Sequence, residues 1–271
     1  REANACGRLP WETLAGSART PAADVLLLGE VHDNPWHHRL RAEIVRLAAR
    51  RARLPAVVFE HIRADQHAAL DTFRDFATAA RGSATSADFF RLLDWDKSGW
   101  PDKALFAPLL DAVVGARLPI YAGDGPRDSI KRVAREGEAA LPPEDRTRLA
   151  LDAPLPAGGQ DALLGELEAS HCGLMPRTAF GKLSVAQRYR DAHLADAVLK
   201  AVEANGSAIL LAGNGHVRTE RAGPWYLRQR APGRSLLSVL LVEVEPRKPD
   251  PDAYVPKDPE GRPAADLVVF T

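Results

Sequence analysis

The stretch VLLLGEVHDNPWHHRLRAEIVRLAARRARLPAVVFEH, residues 25–61, decides the fold class. It opens on the apolar run Val25 to Leu28, passes through a polar turn, and closes on a second apolar run, Ala56 to Phe59. Runs this short and this uniformly apolar read as strands buried on both faces, the pattern of a parallel sheet. Between them Leu40, Ile44, Val45, Leu47 and Ala48 recur at helical spacing within Pro35 to Arg53. Asn34 before Pro35 supplies an N-cap followed by a proline at the first helical position. Strand, helix, strand is a βαβ unit, whose crossover is right-handed.

The alternation continues outward. Further strands are predicted at Leu118 to Ala122, Ala208 to Ala212, Leu236 to Val244 and Leu267 to Phe270. Helices are predicted at Ala64 to Ala80, Lys103 to Gly115, Arg127 to Glu136 and Ser184 to Ala204. The fold class is therefore α/β, with a mostly parallel central sheet flanked by helices. Residues 141–182 hold helical pieces punctuated by Pro142, Pro143, Pro154, Pro156, Gly158 and Gly159, and no strand-like run. They read as a small helical insertion in a discontinuous core of residues 1–140 and 183–271.

The 271 residues include 36 basic and 36 acidic side chains, a net charge of zero that gives no global attraction to nucleic acid. The longest apolar runs are far shorter than the ~20 residues a membrane span requires. Two cysteines, Cys6 and Cys172, are too few for a disulfide scaffold and have no metal-ligand spacing. The chain opens at Arg1 without Met, so a leader is expected to precede it.

Chemistry gathers where the strands end. The first run leads into Gly29-Glu30-Val31-His32, the second into Glu60-His61, and the run at 208–212 into Gly213-Asn214-Gly215-His216. In an open α/β sheet ligands bind beyond the carboxyl ends of the strands, so these clusters are expected to converge. Glu30 and His32 share one side of an extended segment, and Glu60 and His216 add a second carboxylate and imidazole. Such a set can ligate Zn or Mn, or hold a water between an acid and a base. Gly213 and Gly215 are expected to form a tight turn with positive φ. His37 and His38 follow the Asn34 cap, where the helix dipole favours neutral imidazoles and only one ring can face the site. Gln187, Arg190 and Asp191 share a helix face that either reaches the site or forms a solvated ion-pair face. His193 reads as a surface histidine. His171, Met175, Tyr189 and Tyr226 offer haem-type ligand chemistry without diagnostic spacing.

Four ordered words, Gly29-Glu30-x-His32-Asp33-Asn34-Pro35-x-His37-His38, Phe59-Glu60, Gln187-x-x-Arg190-Asp191 and Gly213-Asn214-Gly215-His216-Val217-Arg218, resemble the ChaN-like haem-binding lipoproteins. The resemblance spans nearly the whole chain, and where relatives carry Met-Ala after the Arg-Asp pair this chain has Leu194-Ala195. It implies a bacterial envelope protein, periplasmic or associated with the outer membrane, that takes part in haem uptake for iron acquisition. Haem is then the cofactor, envelope haem-transport proteins the partners, and a lipid anchor and a homodimer are compatible with it. The cofactor-binding candidates are His32, His37, His38, Arg190, Asn214 and His216, with Tyr189, Tyr226, His171, His193 and Met175 as unassigned haem ligands. The wider superfamily includes Tiki-type metalloproteases and erythromycin-esterase-like hydrolases, so the rival expectation is a metal-dependent hydrolase using Glu30, His32, Glu60 and His216 on a divalent transition metal. Cys6 either carries lipid or pairs with Cys172 in a disulfide, which an oxidising compartment would permit.

Overall fold

The structure, a computed structural model, describes residues 23–80, 82–171, 174–248 and 250–271. Both cysteines, and so the expected Cys6–Cys172 pairing, lie outside the described residues. The chain runs through β1 (Val25–Leu28), α1 (Pro35–Ala48), β2 (Ala56–Arg63), α2 (His67–Ala79), α3 (Ser86–Leu92), α4 (Lys103–Gly115) and β3 (Ile120–Asp124). It continues through α5 (Arg127–Glu136), α6 (Pro143–Arg148), α7 (Gly159–Ser170), α8 (Arg177–Asn205), β4 (Ala208–Leu211), α9 (Gly223–Arg230), β5 (Leu236–Val242) and β6 (Leu267–Phe270).

The strands form one sheet in the order β3-β2-β4-β1-β5-β6, and every neighbouring pair is parallel. Successive residues of a strand face opposite sides, so each buried run feeds two cores. Leu26, Leu28, Val57, Phe59, Ile209 and Leu211 enter one core with Ile44, Val45 and Phe106 of α1 and α4. Val25, Leu27, Ala56, Val58, Ala208 and Leu210 enter the other with Ala192, Leu194 and Val198 of α8. This two-sided burial is why the strands read as continuous apolar runs.

Local chemistry sets the element ends. Asn34 accepts the backbone N–H groups of Trp36 and His37 and starts α1, and Gly206 in the left-handed region ends α8. Several boundaries differ from those the sequence predicts: among them, the helix expected from Ala64 starts at His67 and the strand expected to reach Val244 ends at Val242. β2 runs on through Glu60, His61, Ile62 and Arg63, because Ile62 is buried and its polar neighbours find partners. β3 opens at Ile120 after Pro119, which has no N–H for the ladder, and extends to Asp124. α8 starts at Arg177 rather than Ser184, and buried Phe180 anchors the added turns. The short helix α3 is absent from the sequence reading, although Thr85 and Asp88 form a capping box at its start. Residues 141–182 contain α6, α7 and the first turns of α8, which passes without a break into the following segment. Among the described residues no helix is long and apolar enough to cross a membrane.

Candidate functional site

Strand alternation continues past Phe59 of β2 and separates two neighbours. Glu60 turns to the α8 face with Ala56 and Val58, and His61 turns to the α1 face with Val57 and Phe59. The carboxyl end of the sheet therefore carries two polar clusters.

The first is built around Glu30. Its Oε1 accepts from His32 Nδ1 at 2.7 Å and from His61 Nε2 at 2.9 Å. Its Oε2 is ion-paired with Arg41, which also donates to His38 Nδ1 at 2.9 Å. His38 in turn donates from Nε2 to the His32 carbonyl at 2.9 Å. Arg41, His38, His61 and Glu30 have no exposed side-chain surface, whereas His32 keeps 35% of its own. Burial lowers His38 to about 4, holds His61 well below the usual imidazole range and lowers His32, so these rings are neutral near pH 7. Burial also lowers Arg41, to about 9, which leaves it a cation. His61 is packed by Trp100 and Phe106, with ring centroids 4.5 and 4.8 Å away.

The second cluster is built around Glu60. Its Oε2 accepts the Gly213 N–H at 2.7 Å, and its Oε1 accepts Arg190 at 2.7 Å and faces His216 Nε2 at 3.1 Å. His216 Nδ1 donates to Asp191 Oδ1 at 2.6 Å, and Arg190 Nε donates to Asp124 Oδ2 at 2.9 Å. Burial alone would lower His216, but Glu60 and Asp191 outweigh it and raise the imidazole to about 10. Burial likewise works against the Glu60 carboxylate, and His216 with Arg190 holds it well below the usual range. Asp191 is pushed up by its burial.

The structure thus brings Glu30 to His32 and Glu60 to His216, as their places at the strand ends suggest, but in separate hydrogen-bonded groups. Arg190 and Asp191 reach the site rather than forming a solvated face. The turn at Gly213 is made with φ −62°, and neither Gly213 nor Gly215 has positive φ, so the expected left-handed conformation is absent. Glycine at 213 leaves room for close approach instead: a Cβ there would crowd His32, 3.0 Å from its Nε2, and would lie 3.6 Å from Glu60 Oε2. Asn214 spends its side chain on the β5 backbone, donating to the Leu241 carbonyl at 2.7 Å. His37 is buried, accepts the Val31 N–H at 2.9 Å and contacts Thr271 Oγ1 at 2.9 Å, with both nitrogens turned away from Glu30.

His61, Arg41 and Asp124 join the site without having been singled out by the sequence. Each had a signal. His61 follows Glu60 at a strand end, Arg41 stands one helical turn after His38, and Asp124 closes β3 much as Glu60 lies near the end of β2.

The haem-ligand candidates fall into two groups. Tyr189 is 1% exposed and donates to Asp145 Oδ2 at 2.6 Å, and Tyr226 is fully buried and accepts from Arg188 at 3.1 Å. Burial raises both phenols, Tyr226 to about 12, which disfavours a tyrosinate ligand. His193 is not a surface residue: its side chain is 11% exposed and packs 4.5 Å from the Tyr189 ring. His171 is different. Half-buried at the end of α7, it donates from Nδ1 to the Leu167 carbonyl at 2.7 Å, which leaves Nε2 with its lone pair. Half-buried Met175 and Leu174, 87% exposed, follow it closely in the chain, and the Phe180 ring lies 5.6 Å away.

The family described as haem-binding uptake, Tiki superfamily, ChaN matches residues 17–227. The chain belongs to the ChaN family. Among solved structures, the ChaN of Campylobacter jejuni, described with cofacial haem binding, aligns with a TM-score of 0.66 over 81% of this chain and 81% of its own, at 19% identity. That likeness shows the fold. An erythromycin esterase, EreC, in its open conformation aligns with a TM-score of 0.46 over 89% of this chain and 75% of its own, at 16% identity. No curated protein matches the sequence.

Proposed function

We propose that this ChaN family member binds haem and serves haem uptake for iron acquisition in the bacterial envelope, with His171 as the axial ligand. Family membership supports haem as the ligand, and the free Nε2 of His171 is the observation that carries the ligand assignment. The Nδ1 hydrogen bond to Leu167 fixes the tautomer and orients the ring, the usual outer-shell arrangement for an iron-bound imidazole. Leu174 and Met175 offer apolar surface to a porphyrin face, and the buried phenols of Tyr189 and Tyr226 cannot reach one. Haem would supply a redox-active iron, and this chain would hold it through His171 Nε2 beside the apolar side chains of Leu174 and Met175. The reading extends to a location in the periplasm or at the outer membrane, to envelope transport proteins as partners, and to a homodimer as the unit that carries haem. The hydrolase reading takes second place, because Glu60 and His216 are engaged with each other, Arg190 and Asp191.

Ferric haem titrated into the protein is expected to give a saturable, shifted Soret band. His171→Ala is expected to change that spectrum and weaken binding, while Tyr189→Phe leaves both unchanged. A wild-type spectrum identical to free haem, without saturation, refutes haem binding; an unchanged spectrum in His171→Ala refutes only the ligand.

A further inference from the structure

We propose that the Glu30 cluster is a binding site for one divalent first-row transition metal, ligated by Glu30, His32 and His61. The ligand atoms of these three residues all lie within 4.8 Å of one another. Two of the separations, 2.7 and 2.9 Å from Glu30 Oε1, need to widen by only a few tenths of an ångström, since atoms bound at about 2.0–2.1 Å to a tetrahedral ion stand about 3.3 Å apart.

The surroundings aim each donor. Arg41 occupies Glu30 Oε2, so Oε1 is the oxygen that projects toward His32 and His61. Trp100 and Phe106 pack the His61 ring and turn Nε2, rather than the unpartnered Nδ1, into the cluster. His32 is held on the other side by its own carbonyl, which accepts from His38. It is the exposed member, so the open coordination positions face solvent through it.

The donor set names the class of ion. Two imidazoles and one carboxylate suit borderline cations such as Zn(II), Fe(II), Co(II) or Mn(II), whereas Ca(II) and Mg(II) call for oxygen ligands throughout. Glu60 and His216 stand outside this ligand set. Glu60 already accepts from Arg190, Gly213 and His216, and it lies on the α8 side of β2. The site is thus narrower than the Glu30, His32, Glu60 and His216 group that the sequence suggests, and it is independent of the haem ligand.

The test is titration of chelator-treated full chain with Co(II), Zn(II) and Mn(II) separately, following the visible bands of Co(II) and the stoichiometry by calorimetry. One ion per chain is expected, with affinity weakened at least about tenfold in His61→Ala and in His32→Ala. The partly exposed His32 keeps the test valid if the buried His61 variant fails to fold. Glu60→Gln and His171→Ala are expected to bind as the wild type does. Absence of stoichiometric binding by the wild type overturns the proposal, as does wild-type affinity in His32→Ala or a loss in Glu60→Gln equal to that in His32→Ala.

Discussion

On the α1 side of the sheet one carboxylate, Glu30, faces an arginine and three imidazoles, whereas on the α8 side Glu60, Asp124 and Asp191 face one arginine and one imidazole. The same residue type answers differently. His32, His38 and His61 are lowered chiefly by burial, while His216 is raised to about 10 because Glu60 and Asp191 flank it. Burial disfavours the imidazolium in both clusters, and only at His216 do the flanking carboxylates outweigh it. In the second cluster the His216 imidazole is engaged by Glu60 and Asp191. That cluster acts as a clamp that ties α8 to the ends of β2, β3 and β4.

The comparison predicts the largest effect at Arg41. Arg41→Ala leaves the buried Glu30 carboxylate without its cation, and stability is expected to fall by about 3–5 kcal/mol. Urea denaturation measures it; a loss below about 1 kcal/mol would mean that the imidazoles alone neutralise Glu30, and the contrast between the clusters would collapse.

A smaller effect is expected from pH on the other side. The folded pKa of His216 lies above its unfolded value of about 6.5. Its contribution is therefore fully present below about 6.5 and is lost as pH rises toward about 10. Chemical denaturation across that range should show a decline that Asp191→Asn diminishes, whereas His38→Gln leaves the decline in place. A decline of equal size in Asp191→Asn would separate it from the clamp.

The smallest effect belongs to a residue outside both clusters. Asn34→Ala removes the cap of α1 and is expected to cost about 1 kcal/mol in thermal unfolding, with metal and haem titrations unchanged. Altered metal affinity there would show that the position of α1, and not only Arg41 and His38, sets the Glu30 cluster.

Much of this was legible along the chain. Periodicity marks each of the six strands among the described residues, and Glu30, His32, Glu60 and His216 stand out because polar residues directly after buried runs have few structural uses. Arg41 was not legible, since an arginine in an amphipathic helix ordinarily faces water, and its burial depends on Glu30 arriving from another element. Tyr189 and His171 look alike as ligand candidates in sequence, and only packing distinguishes a phenol locked onto Asp145 from an imidazole with a free nitrogen.

The sequence by itself determined the α/β class, the order of elements and the strand ends at which chemistry collects, because hydrophobic periods of two and of about 3.6 residues are properties of neighbouring residues. Tertiary structure alone decided which groups meet. Glu60 and His61 are adjacent in the chain yet serve opposite faces, and β4 stands between β1 and β2, so that Gly213 and His216 reach Glu60 while Glu30 reaches His61. The physical reason is that strand order is fixed by how all the helices cover the two faces of the sheet, and no local stretch of sequence contains that information.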